Sequence, residues 1–244
     1  MRYFFFFLLP FFFSCSSEFY PQQAETSYYN IKGAAEVDTA ILNYIQPYHD
    51  SLEKEMSAVI AISSVAIEKG KPESLMGNLV ADLLLERGRA ENNGIGDFCI
   101  VNYGGLRVPL LPAGNITKGM IFELMPFDNF LTVMELKGNV VQQLFDHIAA
   151  QGGWPVAGVR FEIFDGKASE IQISNKPLEE ERIYQIIISD YLADGGDNLL
   201  FLRLEKRTNT GIFIRDAILE YLQKQTHEGK PIATHLDNRV TIHE

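Results

Sequence analysis

Asn102-Tyr103-Gly104-Gly105-Leu106-Arg107 follows directly on Phe98-Cys99-Ile100-Val101, a short apolar run of the kind that forms a buried strand. Two adjacent glycines at the end of a strand let the chain turn sharply and let a ligand approach the backbone closely. Asn102 can donate and accept hydrogen bonds, and Arg107 offers a planar fork of donors suited to phosphate or ribose oxygens. An ordinary strand-to-loop turn with a solvated arginine would look the same, because short glycine motifs are common. The chain then repeats the arrangement. Residues 184–188 read as a strand that runs through Ser189 into Asp190-Tyr191-Leu192-Ala193-Asp194-Gly195-Gly196-Asp197. A capping aspartate would account for Asp197 alone, but not for two strand-to-Gly-Gly turns in one chain.

The flanking segments predict an α+β fold, mixed sheets with packed helices. Residues 40–56 carry Ile41, Leu42, Tyr44, Ile45, Tyr48 and Leu52 at helical spacing, with Pro47 placed to interrupt or kink the helix. Residues 59–67 are rich in β-branched side chains and read as one strand. Ser74 can cap a helix whose face is Leu75, Leu79 and Leu83 and which stops near Gly88. Gly114-Asn115-Ile116-Thr117 starts a short helix with Thr117 as its cap. Met125-Pro126-Phe127-Asp128-Asn129 leads into a strand over 130–136; Phe127, between a proline and two polar residues, is oddly placed for core packing, although most phenylalanines are buried. An amphipathic helix follows at 139–150. Residues 159–164 and 169–173 alternate across Asp165-Gly166 as a hairpin. Residues 210–225 read as a final helix and 239–242 as a closing strand.

The 244 residues, 46% of them hydrophobic, suffice for one good core and not for two large domains. A net charge of -11 without any lysine-arginine cluster argues against a nucleic-acid backbone as ligand. Cys15 and Cys99 make no disulfide framework, and the five histidines have no ligand-like spacing. Arg2 followed by about eleven mostly apolar residues is a secretory signal, shorter than the roughly 20 residues a spanning helix needs. Ser14-Cys15-Ser16-Ser17 then resembles a bacterial lipoprotein processing site, with Phe12 where leucine is usual. A plain cleaved signal with an incidental cysteine is the alternative. The organisation expected is a signal peptide at 1–14, a lipidated N-terminus, tether and leading helix at 15–50, and one domain at 51–244. The protein is then exported and lipid-anchored through Cys15 to a bacterial cell-envelope membrane.

Taken together, residues 73–82, 102–107, 114–117, 126–129 and 191–197 resemble the C-terminal, substrate-binding domain of the 5′-nucleotidase family. They fall in family order over about residues 55–242. The resemblance implies that Phe127 and Tyr191 sandwich a nucleobase, the family more often having Phe at the second position. It also implies that Asp197 holds the ribose hydroxyls, that Asn102 and Asn129 lie near the base, and that Arg107 meets ribose and phosphate. Gly104, Gly105 and Gly196 complete the substrate-binding set. The family's other substrate arginine falls on Gly70, where Lys69 or Lys71 could substitute only as a point charge. Full-length members carry a metallophosphatase domain holding two metals. Residues 15–50 contain a single histidine, His49, and cannot form that site. The expectation is therefore a nucleotide-binding subunit with no catalytic residue, metal or cofactor of its own, its divalent metals lying in a separate metallophosphatase chain. The alternative is a non-catalytic surface lipoprotein that binds nucleosides or nucleotides.

Overall fold

The computed structural model describes residues 26–29 and 38–243; the signal segment, Cys15 and most of the expected tether lie outside them. The chain divides into two units, Met1–Tyr44 and Ile45–Glu244. Helix α1 (Thr39–Met56) begins where the Asp38 carboxylate accepts the amides of Ala40 and Ile41 at 2.9 and 3.3 Å. It continues through Pro47, and none of its residues is buried.

The region expected as one strand is two, β1 (Val59–Ser63) and β2 (Ile67–Glu68), because the Ser63 hydroxyl bonds the Val65 carbonyl at 2.7 Å and turns the chain. Ser74 caps α2 (Leu75–Glu91), its hydroxyl accepting from the Gly77 amide. Gly88 does not end this helix. A Cβ there would lie 2.6 Å from Ile187, so the glycine is a point of close helix–sheet approach. Then come β3 (Phe98–Ile100), β4 (Leu110–Leu111) and β5 (Gly114–Thr117). Residues 114–117 are thus strand, paired antiparallel with β1, and only Thr117 belongs to the helix start, as cap of α3 (Lys118–Leu124). Next are β6 (Phe130–Lys137), α4 (Gly138–Ala150) and β7 (Val156–Ala157). The hairpin β8 (Val159–Phe164) and β9 (Lys167–Ile173) turns at Asp165 and Gly166, both with positive φ, and β10 (Lys176–Pro177) follows. The last elements are β11 (Ile183–Ser189), the one-turn α5 (Asp190–Ala193), β12 (Arg207–Phe213), α6 (Ile214–His227) and β13 (Val240–His243). The final helix is therefore shorter than its pattern suggests. Residues 210–213 join the sheet, where the Thr210 hydroxyl bonds the Leu131 carbonyl at 2.8 Å.

One five-stranded sheet, ordered β12-β6-β11-β3-β7, divides the core in two. Successive side chains on a strand point to opposite faces. Ile187, Cys99, Val133 and Ala157 pack with α2, α3 and α6 on one face. Ile186, Ile188, Phe98, Ile100, Met134 and Val156 pack on the other with α4 and the sheet β10-β9-β8-β13. The family-like segment at 73–82 serves the chain's end. Glu73 accepts the amides of Asp237 and Arg239 at 2.8 and 3.1 Å, and Arg239 is buried between Asp82 and Asp237.

Candidate functional site

Sheet topology explains why three distant loops meet. β3 and β11 run parallel and adjacent, with Ile186 opposite Phe98, so both strand-to-Gly-Gly turns leave the same end of the sheet. β6 runs antiparallel to β11, with Leu131 opposite Ser189, so its preceding loop, 125–129, arrives at that end too. There Asn102, Gly104, Gly105, Arg107, Phe127, Asn129, Tyr191 and Asp197 line one open cleft of about 260 Å³. Of the nine residues expected to bind substrate, only Gly196 does not line it. Gly196 lies beneath the Tyr191 ring, which would stand 2.5 Å from any Cβ added there.

Phe127 and Tyr191 are 39% and 44% exposed, so neither aromatic is swallowed by the core. Phe127 is held from outside the cleft. Arg215, near the start of α6, bonds the neighbouring Asp128 carboxylate at 2.6 Å and reaches the Phe127 carbonyl at 3.5 Å. The same guanidinium lies over the Phe122 ring, 4.4 Å from its centroid. Sequence reading missed Arg215, and no local signal exposes it, because its partners lie 87 and 88 residues away. On the cleft side, the Arg107 guanidinium stands 5.8 Å from the Phe127 ring centroid.

Asp197 is the polar centre. Its backbone is left-handed, with φ 49° and ψ 35°, a conformation aspartate tolerates better than most residues. The Asn102 amide donates to Asp197 Oδ2 at 2.7 Å, and the Tyr191 hydroxyl donates to Oδ1 at 2.8 Å. The same hydroxyl accepts from the Asp197 amide at 3.2 Å. The bond to Asp197 is the main reason the Tyr191 phenol titrates above its usual range. Gly105 makes room for Asn102, whose Oδ1 would be 2.6 Å from a side-chain carbon at that position. The double glycine after β3 therefore seats a side chain of its own turn.

The Arg107 side chain makes one hydrogen bond among the described residues, at 3.3 Å to the Gly104 carbonyl, and is exposed. Lys69 donates to the Leu106 carbonyl at 2.7 Å and lies 3.9 Å from the Tyr103 ring centroid. Lys71 donates to the Gln151 carbonyl and lies 4.7 Å from the same centroid. Partial burial, then the charges of Arg107 and Lys71, lower the Lys69 pKa. Three cations thus surround the 102–107 turn, though only Arg107 lines the cleft.

The 5′-nucleotidase, C-terminal domain family matches residues 53–206. The chain belongs to that family. A 5′-nucleotidase of Vibrio vulnificus (strain CMCP6) is 27% identical over 207 residues, 80% of this chain and 36% of that protein. The crystal structure of a 5′-nucleotidase precursor from Thermus thermophilus matches with a TM-score of 0.70 at 28% identity, over 83% of this chain and 42% of the other. The sulfate thiohydrolase SoxB of Thermus thermophilus shares the fold at TM-score 0.58 and 16% identity, over 83% of this chain and 37% of that one. The chain spans about two fifths of the length of these relatives. The SoxB likeness teaches that membership in the 5′-nucleotidase C-terminal fold does not by itself name a ligand.

The cleft's donor set bears on chemistry. One carboxylate, two amides and a guanidinium do not fit a dinuclear metal centre, which needs several histidine and carboxylate ligands. Among the described residues the one cluster of possible metal ligands is His49, Asp50 and Glu53, all exposed on α1. Also among the described residues, no helix is long and apolar enough to cross a membrane.

Proposed function

We propose that this domain binds the nucleoside part of a nucleotide in the cleft at the end of its five-stranded sheet. The base lies between Phe127 and Tyr191, where stacking on an aromatic contributes about 1–3 kcal/mol and accepts any base. Asp197 receives the ribose hydroxyls, Asn102 and Asn129 stand beside the base, and Arg107 meets the phosphate. Lys69 and Lys71 add positive potential behind Arg107. The observation that carries this reading is the meeting of two exposed aromatics, a carboxylate and an arginine from loops up to 90 residues apart in one cleft.

Hydrolysis is assigned to a metallophosphatase centre in a separate chain, with its own divalent metals; this domain supplies substrate binding. The two together would act in nucleotide catabolism at the cell envelope, this chain being exported and lipid-anchored through Cys15. Support for the division of labour comes from the cleft's side chains, which can grip a nucleotide but include no evident group for activating water.

Calorimetry with adenosine and AMP tests the binding claim. Binding is expected to disappear in Phe127→Ala combined with Tyr191→Ala; no binding of either ligand at millimolar concentration would end the proposal. Phosphate release from AMP with divalent metals is expected only when a metallophosphatase chain is added. Robust turnover by this chain alone would contradict the second half. Binding that supports no turnover with any partner would instead mark a capture protein.

A further inference from the structure

The Tyr191 hydroxyl is wired into the site in a way its ring does not require. A base platform needs only a flat face, which phenylalanine supplies equally well. Here the hydroxyl donates to Asp197 Oδ1 at 2.8 Å and accepts from the Asp197 amide at 3.2 Å. It therefore closes a loop on the residue six positions ahead and braces its left-handed backbone, φ 49°. The ring is seated against Gly196, with no space for a Cβ between them.

A carboxylate offers about four acceptor sites, two on each oxygen, and its terminal torsion is broad when nothing holds it. Two of those sites are taken by the protein itself, Oδ1 by Tyr191 and Oδ2 by Asn102 at 2.7 Å. With one donor on each oxygen the carboxylate plane is fixed. What remains is one open acceptor site per oxygen, on a side chain that lines the cleft. Two adjacent acceptors facing the same space match two adjacent hydroxyls.

Resting on the reading of the cleft as a nucleoside site, we infer that the Tyr191 hydroxyl is a positioning group for sugar recognition. By setting the Asp197 carboxylate, it makes the site select ligands that carry an intact vicinal diol over those that lack it. Tyr191 then has two separable functions. Its ring supports the base whatever the sugar, and its hydroxyl acts only through Asp197.

The test is calorimetry of adenosine and 2′,3′-dideoxyadenosine with the wild-type chain and with Tyr191→Phe, which keeps the ring. The wild type is expected to prefer adenosine by tenfold or more, at least the value of one hydrogen bond to a charged acceptor. Tyr191→Phe is expected to weaken adenosine about fivefold and leave the dideoxy compound within about twofold, so that the preference shrinks. Asn102→Ala, which removes the other fixed donor, should compress the preference in the same sense. A purely structural role would move the melting temperature or both ligands together, not their ratio. An unchanged ratio in Tyr191→Phe overturns the inference. Tighter adenosine binding in that variant does so too, because the hydroxyl would then be a competitor of the sugar. Equal binding of the two ligands by the wild type also overturns it. If the wild type binds neither, the nucleoside reading itself fails, which is a different result.

Discussion

Two constellations of the same residue types, about one arginine and one or more acids each, have opposite characters. In the clamp that closes the chain, Arg239 is 6% exposed and all five of its N–H donors are used. Nε bonds Asp237 at 2.9 Å, Nη1 bonds Asp82 at 2.7 Å and the Val156 carbonyl at 2.9 Å, and Nη2 bonds Asp82 and Asp237 at 3.2 and 3.3 Å. In the cleft, the exposed Arg107 guanidinium makes a single bond of 3.3 Å among the described residues, and Asp197 holds two donors with acceptor sites to spare. A saturated network fixes structure, since any change strands a buried charge. An unsaturated one has capacity left for something that is not protein. Sequence alone does not separate these cases, because an arginine and an aspartate look alike in both.

The sharpest break between the two regions should come from the clamp. Arg239→Met leaves the buried Glu73 carboxylate without its counter-charge and the half-buried Asp237 with Arg160 alone. It is expected to lower the unfolding free energy by about 3–5 kcal/mol, measured by urea denaturation. Asp197→Asn should do the reverse. Adenosine affinity falls about 30-fold, near 2 kcal/mol, while the urea midpoint barely moves. If Asp197→Asn destabilised the fold as much as Arg239→Met, the distinction between structural and ligand-facing networks would collapse. A smaller effect sharpens the picture within the cleft. Arg107→Ala should weaken AMP about tenfold and adenosine little, a difference read directly by calorimetry.

The least of these effects concerns pH. Burial pushes the Asp237 carboxyl up, but the hydrogen bonds and charge of Arg239 outweigh it and hold the group below its ordinary value of 3.8. A depressed carboxyl contributes stability above its unfolded pKa and loses it as pH falls through the folded one. The clamp's contribution should therefore be intact above about pH 4 and fade below it. Urea midpoints from pH 6 to pH 3 should fall less steeply in Asp237→Asn than in the wild type.

Local features of the chain were legible, and their assembly was much less so. Both Gly-Gly turns, the Ser74 and Thr117 caps and the 159–173 hairpin are written in neighbouring residues. The pairing of β3 with β11 joins segments some 88 residues apart, and nothing local in either strand names the other. Only the resemblance supplied that convergence. Misreadings arose where tertiary contacts overrode pattern. Gly88 looked like a helix stop but is where α2 meets Ile187. Residues 210–213 looked helical but are drawn onto β6 as its edge partner. The α1 pattern predicted a helix correctly, and none of that helix is buried, since periodicity shows that a face is apolar and not that anything covers it. The second function of Tyr191 was also invisible. The hydroxyl was evident, but its aim depends on the ring lying close against Gly196.

A crystal structure of the chain with adenosine tests the central claim most directly. The purine is expected between the rings of Phe127 and Tyr191, with both ribose hydroxyls on the Asp197 carboxylate. A purine bound elsewhere, or a sugar pointing away from Asp197, would contradict it.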